Sequence, residues 1–479
     1  PILILYISLS ISGCTKFLDI DPPITTLTTS EVFSNNQQAV WALSGVYSKM
    51  SNGFVSDPTN RIAETNFAAG LSTIMGGFSS DELYSPGTSG DHAYRAIFEN
   101  KLTLNVSGFS REYWESAYKT IYDANAVIEG VAASTSTDLV DSVRKQVTGE
   151  ALALRAFSYF CLVNFFGDLP LALTTDFNKT AILARSPVSK VYQQIITDLT
   201  QARNLLIDNY SMAGNERIRI NKWFAEALLA RVYLYTGDYQ NAITSASNVI
   251  GHNTMFRLEQ QLGNVFLANS SETILQLKPS NTTQFNNATP EGWAIGYQPV
   301  YAQPLFALSQ SLASAFEPGD KRKTEWTTTV GTWLAPNKYK LNASNSAYGG
   351  PQTEYYMVMR LAELFLIRAE ANLLLSDVNK NESIKDLNAV RERTDLDPLD
   401  NSLTASQVKT AIEQERRVEL FAEWGHRWFD LKRTNRAKDV LPAISYKQPW
   451  AGNYQFLYPI PPSEISSNVN LSQNPEYIR

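Results

Sequence analysis

Cysteine and histidine are scarce in this chain. Its 479 residues hold 2 Cys and 3 His, so no disulfide framework can form. His92, His252 and His426 are scattered singly, without metal-ligand spacing, and read as structural or solvated. Basic charge is not in excess either: 41 Lys and Arg face 47 Asp and Glu, for a net charge of -6. No basic run stands out, which removes the electrostatic footprint of a nucleic-acid binder. The G-x-S-x-G turn, the Walker A loop and the dinucleotide glycine fingerprint are all missing. Nucleophilic, phosphate-transfer and metal chemistry are therefore left without a motif. No apolar run reaches the roughly 20 residues that a bilayer-spanning helix needs.

The longest apolar stretch is short and sits at the start. "PILILYISLSISG" at 1–13 fits the apolar region of a secretory signal. The chain does not open on Met, so the expectation is a signal peptide seen only in part. Ile11-Ser12-Gly13-Cys14 has the aliphatic, small, small, Cys order of a bacterial lipobox. Small residues fit the signal peptidase, and the thiol is acylated before it becomes the mature N-terminus. Each buried methylene of the acyl chains adds about 0.8 kcal/mol of membrane affinity. Cys14 is thus expected to be a lipid anchor, and 14–36 a tether stiffened by Pro22-Pro23. Cys161, in "YFCLVNFFGD", then has no partner and reads as a small buried hydrophobe.

What the chain has in quantity is helical periodicity. "NNQQAVWALSGVYSKM" and "YWESAYKTIYDANAVIEGV" are amphipathic, with Trp114, Ala117, Ile121 and Ala124 on one face. "VRKQVTGEALALRAFSYFCLVNFFGDLPL" predicts a long helix ending at Gly167 and Pro170. Ser186-Pro187 predicts the start of the next helix, with Ser as cap and Pro in the first turn. In "NKWFAEALLARVYLYTGDYQNAITSASNVI", Leu229-Ala230, Tyr233, Gly237, Tyr239 and Ala242 come close to tetratricopeptide spacing. Small Ala230 and Ala242 let two antiparallel helices approach, and Tyr233 fills the groove. Glu226 stands where that repeat usually has an aromatic. "MVMRLAELFLIRAEANLLL" and "KNESIKDLNAVRER" form a further pair. The repeats fall at about 37–50, 112–250 and 357–433.

Two segments have a different character. Residues 52–110 and 251–355 are rich in Gly, Ser, Thr, Asn and aromatics and show little helical period. Loops this long are usually functional. The first offers Phe78, Tyr84, Tyr94 and Phe98 near Asp81 and Arg95; the second offers Trp293, Tyr297, Tyr301, Trp326, Trp333, Tyr339 and Tyr348 among many Asn and Gln. Aromatic faces for stacking plus side chains for hydroxyl groups are what a sugar or peptide site requires. Exposure and chemistry select Tyr84, Tyr94, Trp293, Tyr297, Trp326 and Trp333 as the expected ligand contacts. Paired carboxylates for glycoside hydrolysis are the catalytic option. The candidates are Asp81-Glu82 and Asp91, and Glu415, Glu419 and Glu423 on one helix face. The latter three are interleaved with Arg416 and Arg417 and followed by Arg427, Asp430, Lys432 and Arg433, a pattern that favours ion pairing. Asp- and Asn-rich loops leave calcium open, although no EF-hand loop is present.

Seven stretches together resemble the SusD/RagB family of Bacteroidetes outer-membrane lipoproteins. They are "CTKFLDIDPP", "YWESAYKTIYDANAVIEG", "GEALALRAFSYFCLVNFFGDLPL", "MRLAELFLIRAEANLL", "LNAVRERTDL", "ERRVELFAEWGHRWFDLKR" and "LYPIPPSEISSNVNLSQNPEY". The resemblance spans essentially the whole chain, and it implies a mainly α fold. Four tetratricopeptide-like helix pairs would form a scaffold carrying a large irregular, loop-rich insertion subdomain, with 37–479 as one domain. It also implies a non-catalytic surface protein without a cofactor, which captures oligosaccharide for a SusC-like TonB-dependent transporter at the outer membrane. Trp114, Asp123, Asn125, Arg155, Gly167, Asp168, Arg427 and Asp430 are family-like structural positions. The acidic export tract that often follows the acylated cysteine is only hinted at by Asp19 and Asp21. Other readings are a peptide-binding member of the family, a glycoside hydrolase on a helical scaffold, and a pure interaction scaffold.

Overall fold

The computed structural model of the chain describes residues 29–52, 66–87, 92–104, 108–280 and 285–477. Cys14, the signal stretch and most of the tether lie outside the described residues.

Eight long helices carry the architecture: α1 (Asn36–Asn52), α2 (Gly108–Ala133), α3 (Asp141–Phe166), α4 (Val188–Leu205), α5 (Lys222–Thr236), α6 (Tyr239–Ile250), α7 (Leu361–Leu375) and α8 (Lys380–Arg391). Each packs against the next along the chain, so four antiparallel pairs stack into one helical array. The pairing follows from small residues at the crossings. Ala230 and Ala242 are fully buried where α5 meets α6. Gly237 ends α5 in the left-handed region at φ 79°, and Asp238 caps α6 by accepting from Asn241 N at 3.3 Å.

Ion pairs and hydrogen bonds tie the helices together both within a pair and between pairs. Arg155 on α3 donates to both carboxylate oxygens of Asp198 on α4 at 2.8 and 2.7 Å, and to Asn125 Oδ1 on α2 at 2.8 Å. Glu226, at the usual aromatic position of the repeat, is buried on α5 and accepts from Arg203 of α4 at 3.5 Å. The start of α4 differs from the sequence expectation. Pro187 is its N-cap residue, and the first N–H, on Val188, donates to Asp168 Oδ1 at 2.9 Å. Ser186 instead forms a β-bridge with Leu169. Cys161 is a free, buried cysteine whose thiol is pushed up to about 12 by burial.

A ninth helix, α9 (Ala405–Glu419), packs on α7 and α8 and carries Glu415 and Glu419 inward. Contrary to the sequence expectation, Glu423 is not on that helix face but in the turn after it, where Ala422 and Trp424 have positive φ. Glu415, Glu419 and Glu423 are all buried. Glu419 accepts from Arg322 at 2.9 Å and from Arg360 and Arg393 at 2.6 Å each. Glu415 pairs with Arg322 and Arg391, and Glu423 with Lys338 and Arg360. Burial raises the Glu419 pKa, but the charges of Arg393, Arg360 and Arg322 outweigh it and hold the carboxyl well below the usual range. These acidic residues form an internal ionic joint between the helical array and the insertion.

Among the described residues six short strands lie in or beside the insertions: β1 (Leu83–Tyr84), β2 (Thr273–Leu277), β3 (Ala307–Leu308), β4 (Thr327–Val330), β5 (Trp333–Pro336) and β6 (Tyr356–Arg360). They pair antiparallel as β1–β3, β2–β6 and β4–β5. The first insertion is not loop throughout: a kinked turn at Phe67–Leu71, with Gly70 at φ 92°, runs into a helix at Ser72–Ser79. That helix meets helix His426–Arg433 through bare backbone, since a Cβ on Gly76 would fall 2.3 Å from Cα of Gly425. Among the described residues no helix is long and apolar enough to cross a membrane.

Candidate functional site: an aromatic platform over paired arginines

β1 leaves the Ser72–Ser79 helix with side chains alternating between faces. Leu83 is fully buried and Tyr84 is half-buried on the other face. The register with β3 sets Leu83 opposite Leu308 and Tyr84 opposite Ala307. β3 in turn packs against β5, whose first residue is Trp333. The β4–β5 hairpin turns at Gly331, φ 58°, a backbone conformation that two-residue hairpin loops demand. The Trp333 indole lies beside that glycine, its Cζ3 atom 3.4 Å from where a Cβ would stand. These strands bring Trp333 close to Tyr84, where the indole offsets part of the rise in the Tyr84 pKa that burial causes.

Tyr446 completes the surface. Its ring stacks on Tyr84 with centroids 6.2 Å apart and planes at 24°, and meets Phe98 edge-on at 5.7 Å. Lys447 holds it in place from within. The buried ammonium donates to Phe78 O at 2.9 Å, Ser79 O at 3.1 Å, Phe98 O at 2.7 Å and Asn100 Oδ1. It thereby gathers the C-terminal carbonyls of two short helices, Ser72–Ser79 and His92–Phe98. Burial pushes the Lys447 pKa well down.

Charged groups underlie the platform. Arg427 grips Asp81 with two hydrogen bonds, 2.7 and 3.0 Å, and Arg417 adds a third at 2.8 Å. Burial would raise the Asp81 pKa, but Arg427 and Arg417 hold it below the ordinary carboxylate value. Arg417 also donates to the exposed Ser311 Oγ at 2.8 Å, and its own Nε is buried without a partner. Burial raises the Tyr446 hydroxyl pKa, with the Asp81 charge adding to the effect. Glu82 points the other way, into the core, accepting from Ala422 N at 3.4 Å. Burial pushes its carboxyl up to about 8, with Asp81 adding to the effect. The arrangement offers flat apolar faces, hydroxyls and a guanidinium to a ligand, while two arginines bind Asp81 and Glu82 turns into the core with its Oε1 left without a hydrogen-bond partner.

The six aromatic residues expected from the sequence have different environments. Tyr84 and Trp333 meet on the platform. Tyr94 backs it: its ring stacks on Phe109 at 5.2 Å and meets the edges of Phe78 and Phe306. Trp293, beside Phe285 at 6.2 Å, and Tyr297, which donates to Tyr301 O at 3.1 Å, lie on and just after helix Pro290–Ile295. Trp326 must be corrected. Its exposure is 0%, its Nε1 donates to Leu262 O at 3.0 Å, and the Lys338 ammonium lies 4.7 Å from its ring centroid. It is a core wedge with no face open to a sugar. Tyr446 and Arg417 were not among the expected contacts. The aromatic and proline content of "SYKQPW" (445–450) is the one local signal for Tyr446.

Two family models match the chain. Residues 78–234 match a SusD-like family described as starch-binding associating with the outer membrane, and residues 309–477 match the SusD family. SusD-like protein P2 of Formosa agariphila is 27% identical over 513 residues, covering 97% of each chain. SusD-like protein P38 of the same organism is 25% identical, covering 99% of this chain and 98% of its own. Among solved structures, a SusD superfamily protein of Bacteroides thetaiotaomicron matches with TM-score 0.75 at 23% identity, over 92% of this chain and all of the other. A laminarin-binding SusD-like protein matches with TM-score 0.73 at 24% identity, over 93% of this chain and 100% of its own. Family models, relatives and fold agree: the chain belongs to the SusD/RagB family.

Proposed function

We propose that this SusD-like protein is a non-catalytic surface receptor that captures an oligosaccharide on the Tyr84–Tyr446–Trp333 platform. It would be held to the outer membrane by acylated Cys14 and would pass its ligand to a SusC-like TonB-dependent transporter. The single observation that carries this reading is the joining of Tyr84, Trp333 and Tyr446 from distant parts of the chain over Asp81 and Arg417. Family membership supports glycan binding, and a laminarin-binding protein of the same fold supports the ligand class. Trp293 and Tyr297 are proposed as a second group of contacts on the same insertion. The hydrolase reading is weakened: Glu415, Glu419 and Glu423 are buried in ion pairs, and two arginines bind Asp81. Glu82 is buried without an ion pair, and Asp91 lies outside the described residues.

Stacking plus a few hydrogen bonds gives affinities of micromolar to millimolar order, weak enough for release into a transporter. The test is affinity electrophoresis of a form starting after Cys14, in gels containing laminarin, starch, and other plant, host and microbial polysaccharides. Retardation by one glycan class supports the reading. Unretarded migration in every gel overturns the glycan assignment and leaves peptide capture.

A further inference from the structure

A cavity of about 330 Å³ opens on the helical array and shares no residue with the aromatic platform. Its walls come from α2, from the segment 170–181, and from the short helix Pro462–Ser467 and the turn after it. Trp114 is buried at its base, while Tyr122 and Phe177 are 49% and 75% exposed. Glu464 is the only ionisable carboxylate or base among the lining residues. It is half-buried, lies beside the Trp114 side chain, and pairs with no cation of the described residues. Burial raises its pKa, and the charge of Glu115 adds to this.

The cations nearby are already engaged. Lys119 lies over the Tyr122 ring at 5.1 Å and pairs with Asp123. Arg111 pairs with Glu115, and Lys179 with Asp176. Arg185 donates to Asp168 O and to Asn474 Oδ1 at 2.9 and 2.5 Å. Aromatic walls alone would suit any apolar ligand. A lone carboxylate facing them selects for positive charge, because aromatic faces attract cations and the carboxylate gains a partner it lacks. The volume is at the low end for ligand sites, enough for one ring or one side chain and too small for a glycan chain.

The geometry points to a binding site for a small organic cation, an ammonium or guanidinium on an apolar body, with its charge at Glu464 and its body among Trp114, Tyr118 and Phe177. The cation could be a free amine or a basic side chain presented by a partner protein.

Saturation-transfer NMR and calorimetry on the full chain test this, with phenethylammonium as the probe and 2-phenylethanol as its uncharged counterpart. Phenethylammonium is expected to bind about tenfold more tightly than the alcohol, and E464Q to remove that advantage. F177A should weaken both probes. Because Phe177 is exposed and Glu464 half-buried, both variants should keep the wild-type melting temperature. A doubly capped lysine residue separates the sources: binding equal to phenethylammonium assigns the pocket to a side chain, and weaker binding to a free amine. Equal affinity of the amine and the alcohol for the wild-type chain overturns the inference without recourse to any variant. So does an unchanged amine affinity in E464Q, or no binding at about 10 mM.

Discussion

Tyr84 and Tyr446 stack with ring centroids 6.2 Å apart and planes within 24° of parallel. One ring follows the short helix near the start of the fold, and the other lies beyond the last helix of the ionic joint. Only tertiary packing brings them together. The buried Lys447 fixes the second ring by binding carbonyls of the segment that carries the first.

Lys447→Met removes a donor that serves four buried or half-buried acceptors. Stability should fall by about 2–4 kcal/mol, since each stranded acceptor costs about 1–3 kcal/mol and water re-satisfies some. Glycan affinity should fall with it, because Tyr446 is its neighbour. Urea unfolding together with a titration of the retained glycan checks both. Loss of stability with full affinity would show that Tyr446 is held by its stacking partners alone.

Trp326 and Trp333 are close in sequence and opposite in consequence. Trp326→Ala empties a fully buried site and should cost about 3–5 kcal/mol, whereas Trp333→Ala should cost under about 1 kcal/mol. Differential scanning calorimetry on the two variants separates them. Equal melting temperatures would contradict the burial assigned to Trp326.

Glu419→Gln tests the ionic joint. Three buried guanidiniums lose a charged acceptor at once, and the loss should be about 3–5 kcal/mol. Denaturant midpoints measure it, with the exposed variant Glu382→Gln as the reference. A change below about 1 kcal/mol would mean that the arginines redistribute to Glu415 and Glu423.

Glu82 predicts a pH dependence. Its carboxyl is pushed up to about 8 in the fold, first by burial and then by Asp81; unfolded, it returns to about 4.3. The folded state therefore holds the extra proton between those values. The stability this confers is complete below about pH 4.3 and is lost as pH rises through about 8. Against Glu82→Gln, which cannot titrate, the wild type should lose stability from pH 5 to pH 8, by at most about 1.4 kcal/mol per pH unit. A constant difference across that range would show that Glu82 is ionised in the fold.

The helical array was legible because its signals are local. Tyr233, Gly237 and Ala242 mark a helix pair within a few turns, and Glu415 and Glu419 announce a paired face by their four-residue spacing, whereas Glu423 joins the same ion pairs from a turn that the spacing does not foretell. The platform was legible only in part. Tyr84 and Trp333 lie in segments whose composition promises exposed rings, but composition does not say which ring turns inward. Trp326 looks the same in sequence and fills the core, because its indole N–H finds Leu262 O. Tyr446 and Arg417 lie outside the long insertions and reach the site through packing that no local pattern encodes. Ser186 misled as a helix cap because a more distant group, Asp168, takes that place.

The most direct test of the central claim is calorimetric titration, with the glycan that retards the wild-type chain, of the Trp333→Ala/Tyr446→Ala double variant. The platform account predicts affinity reduced by about tenfold or more, at two lost stacking contacts of about 0.5–1.5 kcal/mol each, with the fold intact by circular dichroism. Wild-type affinity in a folded double variant would contradict it and place the glycan elsewhere on the molecule.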